Sequence, residues 1–160
     1  MDAVEKLLAL EEIKQLRAKY WRTLDTKQWE DWGSVFTEDC TLKYDSGVST
    51  GGGDPQTNPT VSTRKGMVES VRAGLHQAVT VHMGHFPEIE FTSDTEAKGI
   101  WPIEDIVEHG TSWMVGHGHY HDTYRKVDGK WLISSVHLTR LRMRVMQVGG
   151  IPGRAMPNDL

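Results

Sequence analysis

Tyr120-His121-Asp122-Thr123-Tyr124-Arg125-Lys126-Val127-Asp128-Gly129-Lys130-Trp131 is the stretch that decides the fold. Asp-Gly is a favoured pair for a two-residue hairpin turn, because both positions must accept positive φ. Ser112 to Lys126 therefore reads as one long strand, and Trp131 to Val145 as its antiparallel return. Working back, Thr95 to Val107 alternates. Glu96, Lys98 and Glu104 share one parity, while Ala97, Gly99, Trp101, Ile103 and Asp105 share the other. Ile100 and Ile106 interrupt the polar side. Phe86 to Phe91 is strand-like, Ser93-Asp94 reads as a turn, and strands begin at Val79.

The chain ahead of Val79 is mostly helical. Val4 to Leu24 reads as one long helix, in which Ile13, Leu16, Tyr20 and Leu24 recur at helical spacing and form an apolar stripe. Tyr20 is thereby expected inside the concavity of the sheet, where its hydroxyl needs a partner. A short helix over Thr26 to Trp32, a short strand over Thr41 to Tyr44 and a helix over Lys65 to His76 follow. Between the last two, Ser46 to Arg64 carries Gly51-Gly52-Gly53 and Asp54-Pro55. It lacks the Gly-Lys-Ser/Thr of a phosphate loop and reads as a mobile surface loop, suited to a lid. Residues 147–160 read as an irregular tail. Helices followed by a long antiparallel sheet make a single α+β domain over residues 1–160.

Composition narrows the function. A net charge of −4 speaks against a nucleic-acid binder, and Arg140-Leu-Arg142-Met-Arg144 is too short for a duplex footprint. The single Cys40 excludes an internal disulfide and a cysteine-based zinc site. No apolar run approaches the ~20 residues of a membrane span, and Met1-Asp2-Ala3-Val4-Glu5 does not resemble a signal peptide. A cytoplasmic setting without a membrane partner is the expectation.

The candidate chemistry centres on Val81-His82-Met83-Gly84-His85. Histidine is the side chain most readily recruited for proton transfer near neutral pH. Its partners would come from Tyr20, Asp25 and Asp105. Periodicity carries Asp25 off the apolar stripe, so a turn or cap role for the next helix is the competing reading. Asp105 shares the apolar face with Trp101 and Ile103, where a carboxylate is expensive unless hydrogen-bonded or protonated. A salt bridge to an arginine would also satisfy it. His117, His119 and His121 alternate on one strand face, which invites a metal. No carboxylate nearby shares their parity, and no metal is expected.

Four motifs together resemble a known family. They are Glu12-Ile-Lys-Gln-Leu-Arg-Ala-Lys-Tyr20-Trp-Arg-Thr-Leu-Asp25, Val81-His82-Met-Gly-His85, Gly99-Ile-Trp101-Pro-Ile-Glu-Asp105 and the Tyr120-to-Trp131 hairpin. The pattern is similar to the SnoaL-like group of the nuclear-transport-factor-2-like superfamily. It is nearest to the bile-acid 7α-dehydratases, with scytalone dehydratase and hexachlorocyclohexane dehydrochlorinase as relatives. The resemblance implies a cone-shaped α+β barrel, with a curved antiparallel sheet wrapped around the long helix and one apolar pocket.

It also implies that Asp25 orients His82 as a general base, with Tyr20, Asp105 and Arg140 completing the catalytic set. Either Asp105 or Tyr20 would protonate the leaving group. Trp101, His85, Tyr120 and His137 are the expected substrate contacts. The implied activity is a cofactor-independent lyase that eliminates water from a small hydrophobic, cyclic or aromatic substrate. Carbon–carbon cleavage or rearrangement with the same dyad, and a non-catalytic small-molecule-binding domain, are the alternatives. Relatives are commonly trimers. A homo-oligomer is expected, trimer ahead of dimer, through a sheet face carrying Ile100, Ile106 and Val136.

Overall fold

Asp2 starts the first helix. Its carboxylate accepts from the Glu5 N–H at 2.8 Å, and the Glu5 carboxylate accepts from the Asp2 N–H at 2.7 Å. This reciprocal cap satisfies two otherwise orphaned donors. The helix, α1, runs Ala3–Asp25, one residue longer at each end than its periodicity suggests. The computed structural model describes residues 1–147. Apart from Gln147, which closes the last strand, the tail expected to be irregular lies outside the described residues.

Two further helices, α2 (Trp29–Gly33) and α3 (Arg64–Leu75), precede or interleave with the sheet. The strands are β1 (Phe36–Tyr44), β2 (Val61–Ser62), β3 (Val79–Gly84), β4 (Glu88–Phe91), β5 (Glu96–His109), β6 (Ser112–Val127) and β7 (Lys130–Gln147). Their order is β2-β1-β7-β6-β5-β3, with β4 also paired to β5 beside β3. The β6–β7 turn has Asp128 and Gly129 both at positive φ (49° and 78°), the geometry expected of this dipeptide.

The sheet is the expected curved, largely antiparallel one wrapped on the long helix, and it stays open along β2 and β3. One pairing was not expected: β1 runs parallel to β7. β1 is nine residues, extending the predicted Thr41–Tyr44 strand back to Phe36. Conversely, Phe86 lies outside β4 and is 95% exposed.

The concave face follows the predicted alternation on β5: Ala97, Gly99, Trp101, Ile103 and Asp105 are all buried. On β7 the parity changes. Register shifts opposite Tyr124 and Gly118 bulge Ser134 and Leu141 out of the ladder. Val136 consequently joins Leu138 and Arg140 on the buried side at 2% exposure, and it is not part of an outer apolar face as expected. Ile100 does reach the outer surface. Tyr20 lies inside the concavity, with ring centroids 5.5 Å from Trp32, 5.6 Å from Phe36 and 6.0 Å from Tyr120.

Candidate active site

Four elements, α1, β3, β5 and β7, bring the polar side chains of the site together. α1 stops at Asp25, and Lys27 takes a positive φ of 59° that turns the chain away toward α2. Asp25 is therefore the last residue of α1 and does not cap the next helix, which Gln28 precedes. Its carboxylate reaches β3. Oδ1 lies 2.6 Å from His82 Nδ1 and accepts from the Thr80 hydroxyl at 2.8 Å, while Oδ2 accepts from the His82 backbone N–H at 2.8 Å. Lys27 Nζ donates to Thr80 Oγ1 at 2.7 Å, which extends the chain of donors behind the carboxylate. Burial pushes the Lys27 ammonium below its ordinary range, with Asp25 opposing the shift.

A carboxylate acceptor at Nδ1 calls for the hydrogen on that nitrogen and leaves Nε2 as the free base position. The His82 side chain is buried, at 5% exposure. It faces Asp105 directly across the β3–β5 ladder. Asp105 is in turn held by Arg140 from β7 through two parallel hydrogen bonds, Nη1 to Oδ1 at 2.5 Å and Nη2 to Oδ2 at 2.8 Å. The bidentate fork fixes the orientation of both side chains. Gly116 on β6 makes room for the pair, since a Cβ there would collide with Arg140 and Asp105.

His82, Asp105 and Arg140 share a cavity of about 290 Å³ with Tyr20 and Tyr120. Leu24, Leu42, Leu75, Val107, Met114 and Leu138 supply its apolar walls. The volume sits at the lower end of small-molecule sites, and the polar groups are few and grouped, as recognition of a mainly apolar ligand requires. Burial pushes the Tyr20 phenol above its ordinary range and the Tyr120 phenol well above it. Both hydroxyls therefore keep their protons near neutral pH.

Of the residues singled out from the sequence, Tyr20, His82, Asp105, Tyr120 and Arg140 line this cavity, and Asp25 stands behind His82. Three expected substrate contacts lie elsewhere. His85 follows β3 on the exposed surface, with its backbone N–H donating to Pro102. His137 points to the other side of the sheet, 3.2 Å from Asp45. Trp101 is on the concave face, but its ring packs on Trp21 and its indole N–H donates to the Tyr124 hydroxyl at 2.7 Å, away from the cavity lining. His117, His119 and His121 occupy the outer face. His117 lies 3.8 Å from Glu104, and His121 contacts the Thr139 hydroxyl at 3.2 Å. Among the described residues no group of three or more His, Cys, Asp or Glu is arranged to hold a metal ion. Nor is any helix long and apolar enough to cross a membrane.

Sequence reasoning missed a second buried network. Arg17 on α1 pairs with Asp122 on β6, and Asp122 also accepts from the Tyr124 hydroxyl at 2.6 Å. The signal was present: Asp122 has the parity of Tyr120 and Tyr124, and Arg17 lies one turn before Tyr20.

An open curved sheet wrapped on one long helix, with its titratable groups gathered in the concavity, defines the nuclear-transport-factor-2-like architecture. Within it, residues 5–137 match the SnoaL-like domain, and the chain belongs to that family. The chain is 27% identical over 143 residues to Probable cyclase FGR4 of Gibberella zeae, covering 85% of this chain and 93% of that protein. Among solved structures, a scytalone dehydratase-like protein of Novosphingobium aromaticivorans is similar with a TM-score of 0.75 and 24% identity, over 96% of this chain and 99% of that one. Hexachlorocyclohexane dehydrochlorinase LinA-type3 of Novosphingobium barchaimii matches with a TM-score of 0.75 and 17% identity, over 94% and 99% of the two chains.

Proposed function

We propose that this protein is a lyase that needs no cofactor and performs β-elimination, with loss of water as the reaction, on a small hydrophobic cyclic or aromatic substrate. The observation that carries the reading is the 2.6 Å contact between Asp25 Oδ1 and His82 Nδ1 beside an open cavity. His82 Nε2 takes a proton from the carbon next to an electron-withdrawing group. The C–H electrons form the new double bond, and the leaving oxygen departs as water with a proton from Tyr20 or Tyr120. Asp25 fixes the tautomer and stabilises the imidazolium that forms. Asp105 is less suited to the acid role than Tyr20, because both its oxygens accept from Arg140. The pair instead presents a fixed charged wall against which the polar end of the substrate is oriented.

A second reading draws on the cyclase among the relatives: the same proton abstraction, with the carbanion closing a ring instead of expelling water. The bonded Asp25–His82 pair with open space beside it favours either enzyme over a non-catalytic small-molecule-binding domain. A panel of one- and two-ring β-hydroxy ketones incubated in deuterium oxide tests the shared first step. Exchange at the activated carbon that disappears in His82→Gln is the expected result. Exchange unchanged in a folded His82→Gln variant would remove His82 from the reaction. A conjugated product absorbing in the near ultraviolet identifies elimination, and its absence alongside exchange favours the cyclase reading.

A further inference from the structure

Arg17 is the most deeply buried cation in the described chain and belongs to neither the dyad nor the Asp105–Arg140 pair. It is 0% exposed. Its guanidinium carbon sits 4.1 Å from the Tyr20 ring centroid and 3.9 Å from that of Tyr120. Asp122 balances the charge, with Nη2 donating to Oδ1 at 3.3 Å and Nε 3.2 Å from Oδ2. Those contacts are long, and Nε and Nη1 have no hydrogen-bond partner of good geometry. The guanidinium instead spends much of its surface on two aromatic faces.

Stability alone is a poor reason for such a group, because well-packed apolar residues often do as well as a buried ion pair. The two rings it covers most closely are the phenols that line the cavity, with the Trp21 ring farther off at 5.2 Å. We propose that Arg17 is a positioning residue that tunes Tyr20 and Tyr120 as proton donors, its charge favouring the phenolate that develops on whichever hydroxyl releases its proton. This rests on the elimination reading for its purpose, but the tuning exists without substrate.

The neighbouring charges fix the direction of each change. Arg17 lowers the cost of ionising both phenols, and Asp122 raises it for Tyr20. Tyr20 on α1 raises the cost for Tyr120 once it is itself ionised, and Asp105 and Arg140 act on Tyr120 from β5 and β7 with opposite signs. The Tyr124 hydroxyl donates to Asp122, so it moderates that carboxylate rather than the phenols directly. Replacing Arg17 and replacing Asp122 should therefore shift Tyr20 in opposite directions. A role confined to packing would not give opposite signs.

The test uses the full chain labelled with fluorotyrosine, whose more acidic phenol titrates where the fold is intact, and follows each tyrosine by fluorine NMR. Signals are assigned with single Tyr→Phe variants. In Arg17→Met, Tyr20 and Tyr120 should titrate about half a pH unit or more higher. Arg17→Lys should recover part of that shift, since a charge remains. Asp122→Asn should move Tyr20 the other way. Unchanged titration in folded Arg17→Met, or shifts of the same sign in Arg17→Met and Asp122→Asn, would overturn the proposal. Should Arg17→Met not fold, Asp122→Asn decides alone, and an unshifted Tyr20 overturns it. None of these readouts uses turnover. A failure of the His82 mechanism would leave them intact, and a failure here would leave the dyad intact.

Discussion

Asp25 and His82 lie 57 residues apart in the chain and are joined twice, once from carboxylate to ring and once from carboxylate to backbone N–H. The double contact sets the imidazole's rotation as well as its tautomer. Thr80 completes the support by donating to the same Oδ1 that faces the ring. Thr80→Val keeps the shape and deletes that donor. Hydrogen bonds to charged groups are worth about 1.5–3 kcal/mol, so Thr80→Val should lower kcat by about 10-fold or more with KM little changed. Steady-state kinetics check this, and an unaltered kcat would show that Asp25 is held well enough without Thr80.

Arg140 and Asp105 predict an asymmetric stability effect. Both side chains are more than nine-tenths buried. Removing one partner leaves the other as an uncompensated buried charge, at a cost of about 3–5 kcal/mol. Arg140→Met alone should therefore lose most of that in urea denaturation, whereas Arg140→Met combined with Asp105→Leu should regain much of it. Equal losses in the single and double variants would contradict the pairing.

Asp45 predicts where acid acts first. Burial alone would raise its carboxyl, but hydrogen bonds from Ser49, Thr57 and His137 outweigh that and hold it below the usual carboxylate range. A depressed acid stabilises the fold above its unfolded pKa of ~3.9, and that contribution is lost as pH falls through the lower folded value. Asp45 ties down the 46–60 segment through Ser49, whose N–H donates to the Arg140 carbonyl, and through Thr57. Hydrogen exchange should show residues 46–58 opening as pH drops below about 4. Asp45→Asn should remove that pH dependence, and its persistence would place the titrating group elsewhere.

Assembly is a proposal from the outer side of the sheet. A groove of about 600 Å³ there is bounded by Glu88, Glu90, Lys98, Ile100 and His121. Sheet faces with exposed apolar residues commonly mark contacts between subunits. We expect a homo-oligomer, a trimer ahead of a dimer, with Ile100→Glu weakening it. Light scattering that returns an 18.1 kDa particle at micromolar concentration would contradict this.

The helix and the long strands were legible because their patterns are local. Ile13, Tyr20 and Leu24 repeat at helical spacing, and Asp128-Gly129 can hardly be anything but a tight turn. The parity of β5 likewise put Asp105 on the inner face. What was not legible depends on where elements end. Asp25 reaches His82 because α1 stops there and Lys27 turns the chain, which no periodicity encodes. Val136 was misplaced because the Ser134 bulge shifts the phase of β7, and β1 was not expected to run parallel to β7. Arg17 escaped notice because an arginine on an apolar stripe reads as solvated until its carboxylate partner, 105 residues away, is found.

The central claim is that Asp25 and His82 act as one unit, and a double-mutant cycle on any turned-over β-hydroxy ketone tests it most directly. General acid–base catalysis typically contributes ~100- to 10,000-fold, so His82→Ala should lower kcat at least that far. Asp25→Asn should cost a similar factor without unfolding the domain, since the imidazole stays in place but loses its orientation. The double variant should be no slower than the worse single one. Losses that multiply in the double variant, or a normally folded His82→Ala protein that turns over the substrate at the parent rate, would contradict the account.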